Sequence, residues 1–308
     1  MIDILMATYN GAKFIGTQID SILNQNYKEW KLYIRDDGSK DNSVEIIKSY
    51  QEKYPEKIIL IEDEKRGLGA KLNFAELLKY SKSEYCMFCD QDDFWLENKI
   101  SSTLEKMKLI EETSVHNTPI LVHTDLKVVD EDLEIINNSF FEYQKLNYVF
   151  KDLNHLLVQN NITGCTMMMN RPLLDMIDEV PAECIMHDWW IGLVASAFGK
   201  IGYLSEPTIL YRQHGNNEVG AHKYNSIGYL KNKASNINKI NNSINDSIKQ
   251  ANKFYDKFGS KLDDKDKKVV NLFVEIRNKN IISRKNCVIK NKFLKSGFVR
   301  NIGYLTFI

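Results

Sequence analysis

Four short segments of this chain hold the residues able to do chemistry. Asp90-Gln91-Asp92-Asp93 puts three carboxylates within four residues, directly after the apolar run 85–89. Like charges that close repel one another unless a cation or hydrogen-bond donors offset them. Hard oxygen ligands of this type suit Mg2+ or Mn2+, which keep some waters and complete their shells from substrate phosphates, so the segment points to a diphosphate. A solvated acidic turn is the alternative, and the neighbours Phe94 and Trp95 argue against it. Asp36-Asp37-Gly38-Ser39, with Asp41 beyond, follows the run 30–35 and suits hydrogen bonds to a base N–H or to ribose hydroxyls. Asp41 or Asn42 capping a helix in an Asx-rich turn reads the same residues without a ligand. His187-Asp188-Trp189-Trp190 offers Asp188 as a general base on a hydroxyl, with the two indoles stacked on a sugar ring. An N-cap aspartate with core tryptophans is its alternative. In Tyr211-Arg212-Gln213-His214-Gly215-Asn216-Asn217 a neutral imidazole could complete a metal shell and Arg212 could meet phosphate oxygens bidentately, whereas a lone loop histidine is usually polar surface.

The elements that must position these segments follow from apolar periodicity. Short apolar runs at 2–7, 30–35, 58–61 and 85–89 alternate with amphipathic stretches at 13–23, 43–54 and 70–80, the rhythm of a mostly parallel sheet covered by helices. In such a sheet, ligands bind in the loops at the carboxyl ends of the strands, where the Asp clusters stand. A helix over 96–110, strands over 120–129, 166–169 and 207–212, and a helix over 188–198 complete the expected α/β domain, residues 1–222. Residues 223–308 read as a helical appendage, and 224–258 either pack on their own domain or join two copies into a homo-oligomer. Cys86 and Cys89 lie in an apolar strand with no second pair at zinc spacing and read as structural; Met167, Met168 and Met169 likewise read as core.

At 308 residues and 43% hydrophobic content, the chain can bury a full core. Its 41 basic and 41 acidic residues cancel, so no global field draws it to nucleic acid. Five cysteines without framework spacing fit a reducing compartment, and no run approaches the roughly 18 apolar residues of a membrane span. The start, Met-Ile-Asp-Ile-Leu-Met-Ala, lacks the basic flank of a signal peptide and reads as a strand, so a cytoplasmic protein is expected. Beyond Glu275 there is no acidic residue, and basic residues alternate with Phe, Val, Ile, Leu and Tyr. That tail either lies peripherally on an anionic membrane or packs as a solvated last helix.

The order of these segments resembles the family-2 inverting glycosyltransferases of GT-A fold over roughly residues 2–220. Ala7-Thr8-Tyr9-Asn10, Asp36-Asp37-Gly38-Ser39-Lys40-Asp41 and Asp90-Gln91-Asp92-Asp93-Phe94-Trp95 carry the likeness. Thr124-Asp125-Leu126, Thr163 to Met168, Met186-His187-Asp188-Trp189 and Leu210 to His214 are similar to bacterial rhamnosyltransferases of rhamnose-containing cell-wall polysaccharides. The resemblance implies that Thr8, Tyr9 and Asp37 contact the donor nucleoside, and that Asp90 sits near the ribose or sugar. Asp92 and His214 would hold Mn2+ or Mg2+ on the diphosphate, Lys71 would be a further donor contact, and Asp188 the base. Trp189 and Trp190 are the expected acceptor contacts. The implied donor is dTDP-β-L-rhamnose, with a UDP-hexose the alternative, and the implied acceptor is a lipid-linked saccharide. A sugar nucleotidyltransferase would want a Gly-rich loop after the first strand, where Thr8-Tyr9-Asn10-Gly11-Ala12 has one glycine. A silent carbohydrate-binding or assembly module would have no use for a base.

Overall fold

The computed structural model describes residues 1–215, 220–221 and 237–308. Asn216, Asn217 and the 223–236 part of the expected appendage lie outside the described residues. The chain divides into two compact units: Met1–Phe140 with Ile162–Val180 and Gly199–Ala221, and Phe141–Asn161 with Pro181–Phe198 and His222–Ile308. The second unit thus gathers two earlier segments to the C-terminal helices, where the sequence reading drew one boundary at 222.

The first unit is built on one mixed sheet, and the expected GT-A architecture is what it shows. β1 (Ile2–Thr8), β2 (Trp30–Asp36), β3 (Ile58–Ile61) and β4 (Tyr85–Cys89) pair in parallel in the order β3-β2-β1-β4. These strands read as near-continuous apolar runs because helices cover them: Ile2, Ile4, Leu5, Met6, Met87 and Phe88 are fully buried. A two-residue strand, β5 (Phe94–Trp95), follows the acidic loop. Beyond β4 the order continues through β8 (Met168–Asn170), β6 (Ile120–Val129) and β9 (Lys200–Arg212) to β5, with β7 (Ile135–Asn137) paired to β6. β8 is antiparallel to both β4 and β6, which makes β6, and β9 parallel to it, run in the same direction as β4. The carboxyl ends of β1, β2, β4 and β9 therefore share one edge of the sheet.

Helices α1 (Ile15–Leu23), α2 (Ser43–Lys53), α3 (Gly69–Leu78) and α4 (Lys99–Glu112) connect these strands. In α1 the buried set Ile15, Ile19 and Ile22 recurs at four and three residues, the stripe that faces a sheet. β9 starts seven residues earlier than expected, because polar Ser205-Glu206-Pro207 masks its first half and the pairing with β6 is irregular around Asp125.

In the second unit, α5 (Phe140–Gln144, which begins one residue before the unit) and α6 (Leu153–Leu156) precede α8 (His187–Phe198), while α7 (Arg171–Ile177) belongs to the first unit. α9 (Ile237–Phe258), α10 (Asp264–Val274), α11 (Ile281–Lys290) and α12 (Phe298–Phe307) follow. Its core holds Trp190, Leu193, Phe254, Phe258, Phe273, Phe293 and Tyr304. No helix among the described residues is long and apolar enough to cross a membrane.

Candidate active site

At the end of β1, the buried Thr8 hydroxyl donates to Gln91 Oε1 at 2.6 Å, and the same oxygen takes the Tyr9 N–H at 2.9 Å. Gln91 Nε2 donates back to the Tyr9 carbonyl at 3.0 Å. Gln91, the middle residue between two expected donor-binding aspartates, thereby ties the β1 loop to the β4 loop, a role that sequence reading missed. The Tyr9 ring is about half exposed, at 51%.

After β2, the two aspartates divide their work. Asp36 Oδ1 accepts the Gly38 and Ser39 N–H groups at 2.9 and 2.8 Å, and the Ser39 hydroxyl donates to Oδ2, which closes the turn. Gly38 there has φ +96°, a conformation that favours glycine. The buried Asp37 carboxylate accepts the Leu68 and Gly69 amides at 3.0 and 2.8 Å and lies 3.4 Å from Arg35 Nη1. It thus holds the start of α3, whose first turn carries the half-buried Lys71. Asp41 takes the Ala12 N–H at 3.0 Å and the Ser43 hydroxyl, so it fixes the β1 loop and the start of α2. Hydrogen bonds from Ser43 and Ala12 hold its carboxyl below the usual range against the opposing effect of burial.

The acidic loop after β4 meets the loop after β9. Asp92 Oδ2 stands 2.7 Å from His214 Nε2, and Arg212 Nε donates to the Asp92 carbonyl at 2.8 Å. The Phe14 ring supports both partners, with the Arg212 guanidinium 4.7 Å from its centroid and the His214 ring at 4.9 Å. Asp93 is fully buried; Oδ1 accepts the Arg212 N–H at 3.2 Å, and the Cys165 thiol is a further hydrogen-bond partner of its carboxyl. Burial, then the charges of Asp92 and Asp90, push its carboxyl well above the usual range. Ligand atoms of Asp90, Asp93 and Cys165 lie within 4.8 Å of one another.

This donor set fits a hard divalent cation. Asp92 and His214, a carboxylate oxygen and an imidazole nitrogen, meet as a hydrogen-bonded pair at 2.7 Å and are donor types that divalent ions accept. Burial, then the charges of Asp93 and Asp90, push the Cys165 thiol up. Cys86 and Cys89 are buried in β4, and burial pushes the Cys86 thiol up to about 12, consistent with a structural role.

Asp188, Trp189 and Trp190 belong to the second unit. Asp188 lies in the first turn of α8, and its Oδ1 accepts the Trp189 N–H at 2.6 Å. The Trp189 indole donates to the Leu156 carbonyl at 2.5 Å and is half-buried. Trp190 corrects the sequence reading: it is 0% exposed and packs on Phe254 and Phe258 at 5.7 and 6.0 Å between centroids, which leaves no face for a sugar. Its spacing to Leu193 and Val194, three and four residues on, was the signal of a core position.

The family model described as "Glycosyl transferase family 2" matches residues 3–176. Among curated relatives, the chain is similar to "dTDP-rhamnosyl transferase RfbG" of Shigella flexneri, 27% identical over 74% of this chain and 80% of that protein. It is also similar to "UDP-Glc:alpha-D-GlcNAc-diphosphoundecaprenol beta-1,3-glucosyltransferase WfgD" of Escherichia coli, 29% identical over 57% of this chain and 62% of that one. Among solved structures, S. aureus TarS 1-349 in complex with UDP-GlcNAc matches with TM-score 0.57 and 15% identity over 99% of this chain and 90% of that chain. A mannosyltransferase from Pyrobaculum calidifontis in complex with GDP-Man and Mn2+ matches with TM-score 0.55 and 13% identity, over 94% and 72%. At these identities the structures speak to fold alone.

Proposed function

The chain belongs to glycosyl transferase family 2, and on that premise we propose that it transfers L-rhamnose from dTDP-β-L-rhamnose to a lipid-linked saccharide, with inversion at the anomeric carbon. The observation that carries a nucleotide-diphosphate donor is the Asp92–His214 pair at 2.7 Å, on the sheet edge where the Thr8 and Asp37 loops also end. Thr8, Tyr9 and Asp37 line the nucleoside end, Asp90 faces ribose or sugar, and Lys71 meets the donor from the first turn of α3. Asp92 and His214 would hold Mn2+ or Mg2+, which when bound supplies positive charge to the leaving diphosphate.

Asp188 removes the proton from the acceptor hydroxyl as that oxygen attacks, and the exposed part of Trp189 orients the acceptor ring. A positioned base contributes about a hundred- to ten-thousand-fold in rate. Asp188→Asn is therefore expected to lower turnover by about that factor while donor affinity stays within about twofold of wild type. Isothermal titration beside single-turnover rates checks this, and a variant that loses donor affinity removes Asp188 from the base role.

The rhamnosyl donor rests on the likeness to RfbG, and a UDP-glucose donor has its own support in the likeness to WfgD. Donor hydrolysis and binding with dTDP-L-rhamnose, UDP-glucose, UDP-galactose and UDP-N-acetylglucosamine, with Mn2+, with Mg2+ and with EDTA, separates them. Selective, EDTA-sensitive use of dTDP-L-rhamnose is expected. Preference for a UDP-sugar overturns the donor and keeps the reaction class, and metal-independent binding overturns the role given to Asp92 and His214.

A further inference from the structure

We propose that α11 and its flanking lysines dock on an anionic lipid surface, which gives the transferase reading above its place of action. At 100° per residue, Ile281, Lys285, Ile289 and Ile282 fall within an arc of about 100° on α11. The three isoleucines are 66%, 59% and 75% exposed for Ile281, Ile289 and Ile282. Cys287, on the opposite side, is buried, and so is Val288, which borders the arc beside Ile281. The helix thus has one face in the core and a second apolar face in solvent. Phe298, at the start of α12, is 79% exposed, and Ile302, one turn on, is 46% exposed.

The charge around this face selects the partner. From residue 276 onward there are eight Lys or Arg and no Asp or Glu, so the rest of this neutral chain carries the compensating negative excess. The arginines of this stretch are used inside the fold. Arg277 donates to the Phe307 carbonyl at 3.2 Å, Arg284 to that of Ile308 at 2.8 Å, and Arg300 to those of Lys145 and Gln144 at 2.9 and 2.5 Å. Lys285, Lys290 and Lys292 are left on the surface, exposed beside the isoleucines. Protein–protein interfaces are enriched in aromatic residues and arginine and depleted of lysine. Exposed aliphatic side chains ringed by lysines fit a layer of anionic headgroups over acyl chains, where the ammonium groups stay in the headgroup zone and the isoleucines sink below it.

The test is flotation of the full chain with vesicles of phosphatidylcholine alone or mixed with phosphatidylglycerol, without donor or acceptor. Wild type is expected to float with the mixed vesicles and not with phosphatidylcholine alone. Ile282→Asp combined with Ile289→Asp is expected to lower partitioning at least tenfold. Lys285→Ala, Lys290→Ala and Lys292→Ala are each expected to lower it about fivefold in low salt. All these positions are exposed, so circular dichroism and donor affinity should match wild type and show that the fold and the donor site are intact. Wild type that does not float, or a double isoleucine variant that floats as well as wild type, overturns the docking surface. Sedimentation showing a wild-type dimer that the double variant dissociates reassigns the face to a second copy and overturns it too. None of these outcomes touches the transferase reading, which the donor panel decides.

Discussion

Lys99 is fully buried, its ammonium has no hydrogen-bond partner among the described residues, and it lies 4.6 Å from the centroid of the Trp95 ring. Burial lowers its pKa from 10.5 to about 8, against the upward pull of Cys165, Cys89 and Asp93. Asp93, one of the groups pulling it up, is itself pushed well above the usual carboxylate range by burial. The folded state therefore binds the Lys99 proton less tightly than the unfolded chain does. The resulting penalty is complete below about pH 8 and is relieved as pH rises from about 8 to 10.5. Methionine keeps the stem and its packing on the indole while it removes the charge. Lys99→Met is expected to stabilise the protein at pH 7 by about 3 kcal/mol at most, with the gain shrinking as pH approaches 10. Parallel urea melts of the two proteins at pH 7, 8.5 and about 10 check this. A destabilised variant at pH 7 would show instead that the acidic loop needs the ammonium as a counter-charge. A lysine at this position gives no hint of burial in the sequence, because the side chains that enclose it come from β4, β5 and the 164–166 turn.

At the scale of elements, Arg35 does for the donor loop what the sheet does for the strands. From β2 its Nε and Nη2 grip Asp63 at 2.8 and 2.9 Å, Nη2 also reaches the Lys65 carbonyl at 2.7 Å, and Nη1 meets Asn73 on α3 at 2.9 Å. Asp37 completes the clamp through the Leu68 and Gly69 amides, with Gly67 and Gly69 at φ +69° and +72°. Arg35→Met would leave Asp63 and Asn73 without their fork and is expected to cost about 3 to 5 kcal/mol, the range for breaking a buried pair. Because the clamp holds the turn that bears Lys71, nucleotide affinity is expected to fall as well. A variant that loses stability in urea yet binds donor as wild type does would take this loop out of the donor site. The parallel strands and α1 to α3 were legible because their apolar runs and stripes are unbroken, and their bounds fall within about two residues of expectation. β7 and the first half of β9 were not, since Ile135 is exposed and Ser205-Glu206-Pro207 carries no strand pattern. The types of Asp92 and His214 were legible, but their meeting across 122 residues depends on the strand order β4-β8-β6-β9, which no local pattern encodes. Gln91 and Arg35 were missed for the same reason, as their partners are set by tertiary register.

Across the whole molecule, three tasks fall on separate stretches of chain, although the summed charge is zero. In the proposed reading, nucleotide and cation fall to loops of the first unit, at residues 8–12, 37–41, 66–71, 90–93 and 212–214. The proposed base stands at the start of α8 in the second unit, and the basic apolar face lies on α11. Binding to the folded state lowers the population of local openings wherever the ligand touches, and by the same linkage stabilises at most by RT ln(1 + [L]/Kd), about 2.7 kcal/mol at a hundredfold excess over Kd. Hydrogen exchange on the full chain reads these stretches side by side. Mn2+ with dTDP is expected to slow exchange in the five first-unit loops by up to about a hundredfold and to leave 281–290 unchanged. Asp92→Asn should remove the Mn2+-dependent part alone, because the nucleoside contacts at Thr8 and Asp37 do not pass through that carboxylate. Vesicles containing phosphatidylglycerol should reverse the pattern, with protection on 281–290 and none in the loops. If nucleotide protection fell on α8 or α11 and spared the 90–93 loop, the donor would not sit on the carboxyl edge of the sheet, and the roles given to Asp92 and His214 would fall with it.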